Sequence, residues 1–191
     1  LVNLGNDVTL FPIAPKSGLH TSETDRNYQD CSQTVKHFDP KAPTLRIFHQ
    51  FSMGESIGTG ARYGLTFFEL DVLSEREVNH LNSLEHLFVT SQWAKEVVDK
   101  YCTVKCSVIH LGVDKSIFGF REKRRKNKNF TLINCGKWEV RKGHVELIEA
   151  FKRVRQKKSN VELHMVPTNH FLNQKQTKEW LDLYNVDGVK I

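Results

Sequence analysis

The stretch from Phe130 to Arg155, FTLINCGKWEVRKGHVELIEAFKRVR, constrains the chain more than any other. Phe130 to Cys135 is a short apolar run of strand-favouring residues. The chain turns on Gly136, crosses a charged loop from Lys137 to Arg141 and meets a second glycine, Gly143. Beyond it Val145, Ile148, Phe151 and Val154 recur three apart, and Leu147 and Ala150 widen the stripe. That spacing predicts one apolar helix face packed on the preceding strand, the first half of a βαβ unit. The loop would then lie at the carboxyl end of a strand and the amino end of a helix, where open α/β sheets bind ligands. Unpaired N–H groups and the helix dipole favour an anion there. Lys137 and Lys142 add two cations, so the expectation is a phosphate or diphosphate site; the bland alternative is a solvated basic turn.

The rest of the chain alternates in the same way. Leu1 to Leu4 reads as the end of a helix capped by Gly5, Val8 to Ile13 as a strand, and Lys16 to Asp30 as a polar loop. Asp39-Pro40 and Ala42-Pro43 punctuate the approach to a strand from Leu45 to Phe51, with His49 near its end. The segment SMGESIGTG that follows reads as a mobile loop, too irregular to be a phosphate or dinucleotide fingerprint. Then come a strand from Ala61 to Leu70 ending near Glu69, a helix from Glu75 to Ser83 entered at Ser74, and a strand from Leu87 to Thr90. Ser91 is placed to cap a helix from Gln92 to Tyr101. Val108 to Leu111 is a further strand, leaving through the turn Gly112-Val113-Asp114. After the organising loop, strands at Val161 to Val166 and Val189 to Ile191 flank a helix from Leu172 to Tyr184. Strand and helix alternating at this spacing imply parallel sheets.

At 191 residues the chain can build one good core or two small ones. No run approaches the roughly 18 apolar residues of a membrane span. A net charge of +6 suits an anionic partner. The run REKRRKNK, between Phe118 and Asn129, reads either as a nucleic-acid or membrane patch or as a solvated linker between two domains. The linker is favoured, because the run lacks the interleaved aromatics of a single-strand binder. Cys31, Cys102, Cys106 and Cys135 show no zinc-like pairing and read as reduced thiols of an intracellular protein.

GKWEVRKGHVELIEAF resembles the donor-binding loop of the large retaining glycosyltransferase family of GT-B fold, the group that includes sucrose and glycogen synthases. In that family a glycine followed by Arg or Lys, and then a Lys-Gly pair, grips the diphosphate of a nucleotide sugar. Gly136-Lys137 and Lys142-Gly143 occupy those places, with Lys137 giving a point charge where the forked Arg is commoner. GLTFFELD, LEHLFVTSQWAKEVV and SVIHLGVDKSIF follow one another as they do at the end of the amino-terminal domain in one branch of the same family.

The resemblance implies an α/β chain with two Rossmann-like parallel-sheet domains, both incomplete. Residues 1–112 would be an acceptor-side domain lacking its first strand, 113–128 a basic interdomain linker, and 129–191 the start of a nucleotide-sugar-binding domain. The implied activity is hexosyl transfer from a UDP- or GDP-linked sugar, with retention, to a carbohydrate, lipid or protein acceptor. Gly136, Lys137, Lys142 and Gly143 would bind the donor diphosphate. His49 and Glu69, at strand ends facing the acceptor, are the catalytic candidates, able to hold a hydroxyl or stabilise an oxocarbenium-like sugar. The bland readings are an interior histidine and a capping or ion-paired glutamate. Glu139 and His144 flank the loop and read as surface residues. Neither metal nor cofactor is expected, nor nucleic acid as a partner. The expected location is cytoplasmic, with peripheral membrane contact left open. The family's glycine-rich turn and its sugar-holding glutamate pair would lie outside this chain, which resembles the middle of a longer enzyme. A second reading is a non-catalytic basic module that meets nucleic acid or membrane through residues 118–129 and Lys142. A nucleotide-sugar epimerase, the third, fits GKWEVRKG less well.

Overall fold

The computed structural model describes residues 5–12, 22–120, 129–169 and 171–191. The helix end expected at Leu1 to Leu4 and the basic run REKRRKNK lie outside the described residues. The chain divides into two compact units, Leu1–Phe118 and Gly119–Ile191, and the division falls within the stretch read as a linker. Both units are α/β with wholly parallel sheets.

The first unit holds α1 (Ser22–Gln33), β1 (Thr44–Phe48), β2 (Arg62–Thr66), α2 (Glu75–Asn82), β3 (His86–Val89), α3 (Gln92–Tyr101) and β4 (Cys106–Val108). Its strands lie in the order β1-β2-β3-β4. Along β3 side chains alternate, so Leu87 and Val89 enter the core while His86 and Phe88 turn to the other face. The core joins them to Met53, Leu81, Ala94, Val97 and Val98. Ser74 caps α2 through a reciprocal box: its hydroxyl faces the Glu77 N–H, and the Glu77 carboxylate accepts from the Ser74 N–H at 2.7 Å. Ser91 caps α3 by accepting from the Ala94 N–H, as its position in the sequence suggests.

Four expectations for this unit need correction. α1 occupies part of the segment read as a polar loop; its sequence, SETDRNYQDCSQ, has no apolar stripe to announce it. Val8 to Pro12 forms no strand. Its Leu10 N–H donates instead to Cys31 C=O, one of the carbonyls that the end of α1 leaves without a helical partner. β4 runs from Cys106 to Val108 rather than from Val108 to Leu111, and Leu111 is exposed beyond it. The glycine-bearing segment after β1 is tied down at several points. Thr59 N–H donates to Pro40 C=O at 2.6 Å, Thr44 Oγ1 donates to Ile57 C=O, and Arg46 pairs with Glu55 at 2.7 Å. A Cβ on Gly60 would collide with the backbone of Lys41 and Ala42, so glycine is what lets the two segments touch.

The second unit holds β5 (Phe130–Gly136), α4 (His144–Lys157), β6 (Val161–Pro167), α5 (Gln174–Leu183) and β7 (Val189–Lys190), with strand order β5-β6-β7. Val161, Leu163 and Met165 of β6 pack against Ile148 and Phe151 of α4, with Trp138 and Tyr184 completing the core. Burying Phe151 alone contributes about 1.5–3 kcal/mol. The buried face of α4 is His144, Ile148 and Phe151. Val145 and Val154, expected in that stripe, are 51% and 40% exposed. All four cysteines are free thiols, and burial pushes Cys106 up to about 11. Among the described residues no helix is long and apolar enough to cross a membrane.

Candidate anion-binding site

β5 delivers the chain to Gly136 at the carboxyl edge of its sheet. Lys137 and Trp138 follow, then a single 3₁₀ turn from Val140 to Lys142, then Gly143, which opens α4. Gly143 has φ 66° and ψ 31°, the left-handed conformation that glycine adopts without strain. The turn is internally bonded. Lys142 N–H donates to Glu139 C=O at 3.0 Å, and Gly143 N–H donates to Val140 C=O at 3.1 Å.

The Gly143 amide is therefore engaged within the turn. The amides that helix geometry leaves over are those of His144, Val145 and Glu146, since α4 has no side-chain cap and Leu147 N–H makes the first helical bond, to Gly143 C=O. Glu146 Oε2 lies 3.6 Å from where a Cβ on Gly143 would stand. The helix thus carries its own carboxylate near its positive end, which an incoming anion must displace or tolerate.

Both lysines are exposed. Lys137 Nζ stands 5.3 Å from the ring centre of Phe171, itself 85% exposed. Among the described residues Lys142 makes no ion pair, whereas Arg141 is paired with Glu139 at 2.9 Å. Gly136, Lys137, Lys142 and Gly143 are thereby brought together in one loop at one strand end. A Cβ on Gly136 would meet nothing within 4 Å, so packing does not demand glycine there.

Beneath the exposed lysines the loop is held by buried groups. His144 is 1% exposed, which corrects its reading as a surface residue. Its Nε2 lies 2.7 Å from Lys137 C=O, and its Nδ1 lies 2.9 Å from the hydroxyl of Tyr184, the residue that ends α5. The next carbonyl, that of Trp138, accepts from Asn169 Nδ2 at 3.0 Å, and Asn169 Oδ1 accepts from the Phe171 N–H. Sequence reasoning missed His144, Asn169 and Tyr184. The signal for His144 was present: positions 144, 148, 151 and 155 share a helix face, and that register takes the histidine inside.

His49 and Glu69 stand at the carboxyl edge of the first unit's sheet, but beyond its strands. β1 ends at Phe48 and β2 at Thr66, so both residues lie on exposed loops. His49 is not interior. Its Nδ1 lies 3.3 Å from Phe67 C=O and its ring stacks on Phe51 at 5.5 Å. Among the described residues no group of three or more His, Cys, Asp or Glu is placed to hold a metal ion. Comparison with models of known protein families gives no match, and neither does comparison with curated proteins.

Proposed function

We propose that the chain is part of a retaining GT-B glycosyltransferase whose second unit binds the diphosphate of a nucleotide sugar at the loop from Gly136 to Gly143. The observation that carries this reading is the loop itself. Two exposed lysines stand at the carboxyl end of a parallel strand, beside the uncapped amino end of α4. The lysines supply charge, the amides of the first helical turn supply directed donors, and Gly136 leaves open space where a side chain would stand. The parallel sheets of both units suit the two-domain architecture that the resemblance implies. On this reading His49 and Glu69 belong to the acceptor side, offering an imidazole and a carboxylate on neighbouring loops.

The test is calorimetric titration of UDP and GDP into wild type and the Lys142→Ala and Lys137→Ala variants. Each charge-assisted bond should contribute about 1.5–3 kcal/mol. Loss of Lys142 should therefore weaken binding roughly 10- to 150-fold. Lys137→Arg should bind at least as well, because a guanidinium adds a second donor. Unchanged affinity in both alanine variants, with the fold intact, would mean the lysines are merely solvated surface charges.

A further inference from the structure

His144 is the residue in which the buried chemistry of the second unit converges. It opens α4, directly after Lys142-Gly143, and its ring reaches back to the carbonyl of Lys137. The backbone from Lys137 to His144 is thereby closed on itself by one imidazole, and both lysines lie within the closed segment.

The protonation of the ring follows from its partners. A carbonyl oxygen only accepts, so Nε2 carries the hydrogen and donates it to Lys137 C=O at 2.7 Å. Burial raises the Tyr184 hydroxyl above its ordinary range, so the phenol keeps a proton that it can donate to Nδ1, 2.9 Å away. Both ring nitrogens are then engaged, Nε2 by the carbonyl and Nδ1 by the phenol. Trp180 meets its ring edge-on at 5.5 Å. The following peptide is held independently, by Asn169 on Trp138 C=O. Two consecutive carbonyls are thus drawn inward by side chains of other elements, while the lysine beside them is exposed.

We propose that His144 is a positioning residue for the diphosphate site: a clasp that closes the loop and sets the direction from which Lys137 approaches a bound anion. This rests on the reading of the loop as a diphosphate site. The physical gain is preorganisation. A lysine on a free loop loses backbone as well as side-chain freedom when it binds, whereas a clasped loop has lost the backbone part on folding.

The test uses inorganic pyrophosphate as the probe, titrated into the full chain, in a double-mutant cycle between positions 137 and 184. Tyr184→Phe removes only the hydroxyl that orients the ring. It should weaken pyrophosphate binding about 2- to 12-fold, the worth of one lost hydrogen bond. In a Lys137→Ala background the same change should have no further effect. An equal loss in both backgrounds would make the histidine a packing residue and overturn the proposal. His144→Gln, which can still donate to the carbonyl, should retain more affinity than His144→Leu; equal affinity of the two would also overturn it. The imidazole ¹⁵N shifts give a reading independent of any ligand. A protonated Nε2 with a bare Nδ1 at neutral pH is expected, and the opposite tautomer or an imidazolium would sink the clasp. If the ¹⁵N shifts are as expected but neither lysine variant changes pyrophosphate binding, the diphosphate reading falls, and with it the positioning role; the hydrogen-bonded clasp would remain.

Discussion

The loops that leave β1 and β5 each lead to a histidine, and the two are held in opposite ways. His49 is exposed, in contact with one backbone carbonyl and stacked on a half-exposed phenylalanine. His144 is sealed in the core with both nitrogens bonded. The first can meet a ligand directly; the second can act only through the loop it holds. The two carboxyl edges therefore differ in kind: one leads to an exposed ring, the other to a ring that holds a loop.

The sharpest way to break this contrast is to remove both rings. His144→Ala should take from Lys137 C=O and from the Tyr184 hydroxyl their bonds to the ring and open a cavity, lowering stability by about 2–5 kcal/mol. His49→Ala should stay within about 0.5 kcal/mol of wild type. Urea unfolding midpoints measure both, and equal shifts would show that burial does not separate the two histidines.

The glycines of the organising loop sharpen the comparison at smaller scale. Gly143 is left-handed, and Gly143→Ala should cost about 1–2 kcal/mol of stability. Gly136 has a negative φ and open space, so Gly136→Ala should be neutral or slightly stabilising, by up to about 1 kcal/mol. Gly136→Val should likewise fold, yet bind pyrophosphate more weakly if the space is for a ligand. A Gly136→Val variant with full affinity would show that the space plays no part in binding.

Much of this was legible in the sequence where local pattern and tertiary packing agree. β5, β6 and the start of α3 at Ser91 fall where apolar runs and a capping residue put them. The pattern misled where another interaction outweighed it. Val145 and Val154 suggested a stripe, but the strand beneath α4 selects the register of His144, Ile148 and Phe151. Val8 to Pro12 has strand-like composition, but its amide meets the end of a helix whose polar sequence gives no warning. The candidate site was legible as a loop and a set of cations. Its support was not, because Asn169 and Tyr184 are 31 and 40 residues from the groups they hold.

Helix starts give a third contrast. α2 is closed by the Ser74–Glu77 box, while α4 has no side-chain cap and has the Glu146 carboxylate nearby. Ser74→Ala should destabilise the first unit by about 1 kcal/mol. Glu146→Gln should leave stability nearly unchanged and strengthen pyrophosphate binding, by removing a competing anion from the amino end of α4. Differential scanning calorimetry measures the first effect and titration the second. Weaker pyrophosphate binding after Glu146→Gln would mean that the helix start is not where the anion sits.

The smallest expected effect concerns acid. Glu162, at the face of β6, is held well below the ordinary glutamate range, to about 2, first by Lys190 and then by Asn129 and His164. In the first unit Glu77 is also lowered, chiefly by the Ser74 hydroxyl. A carboxylate whose folded pKa is depressed binds fewer protons folded than unfolded. Its contribution is therefore complete above the unfolded value, near 4.5, and is lost as pH falls toward about 2. The Glu162 network is partly open to solvent and is screened by salt, so its share should shrink as ionic strength rises. Glu162→Gln should flatten the acid limb of the second unit's stability between pH 4.5 and 2 and leave the first unit's limb, which depends on Glu77, in place. Urea midpoints taken across that window, at low and high salt, decide it. An acid limb in the second unit that Glu162→Gln does not change would assign the loss to some other carboxylate and leave the Lys190–Glu162 pair without a measurable part in holding β7 to β6.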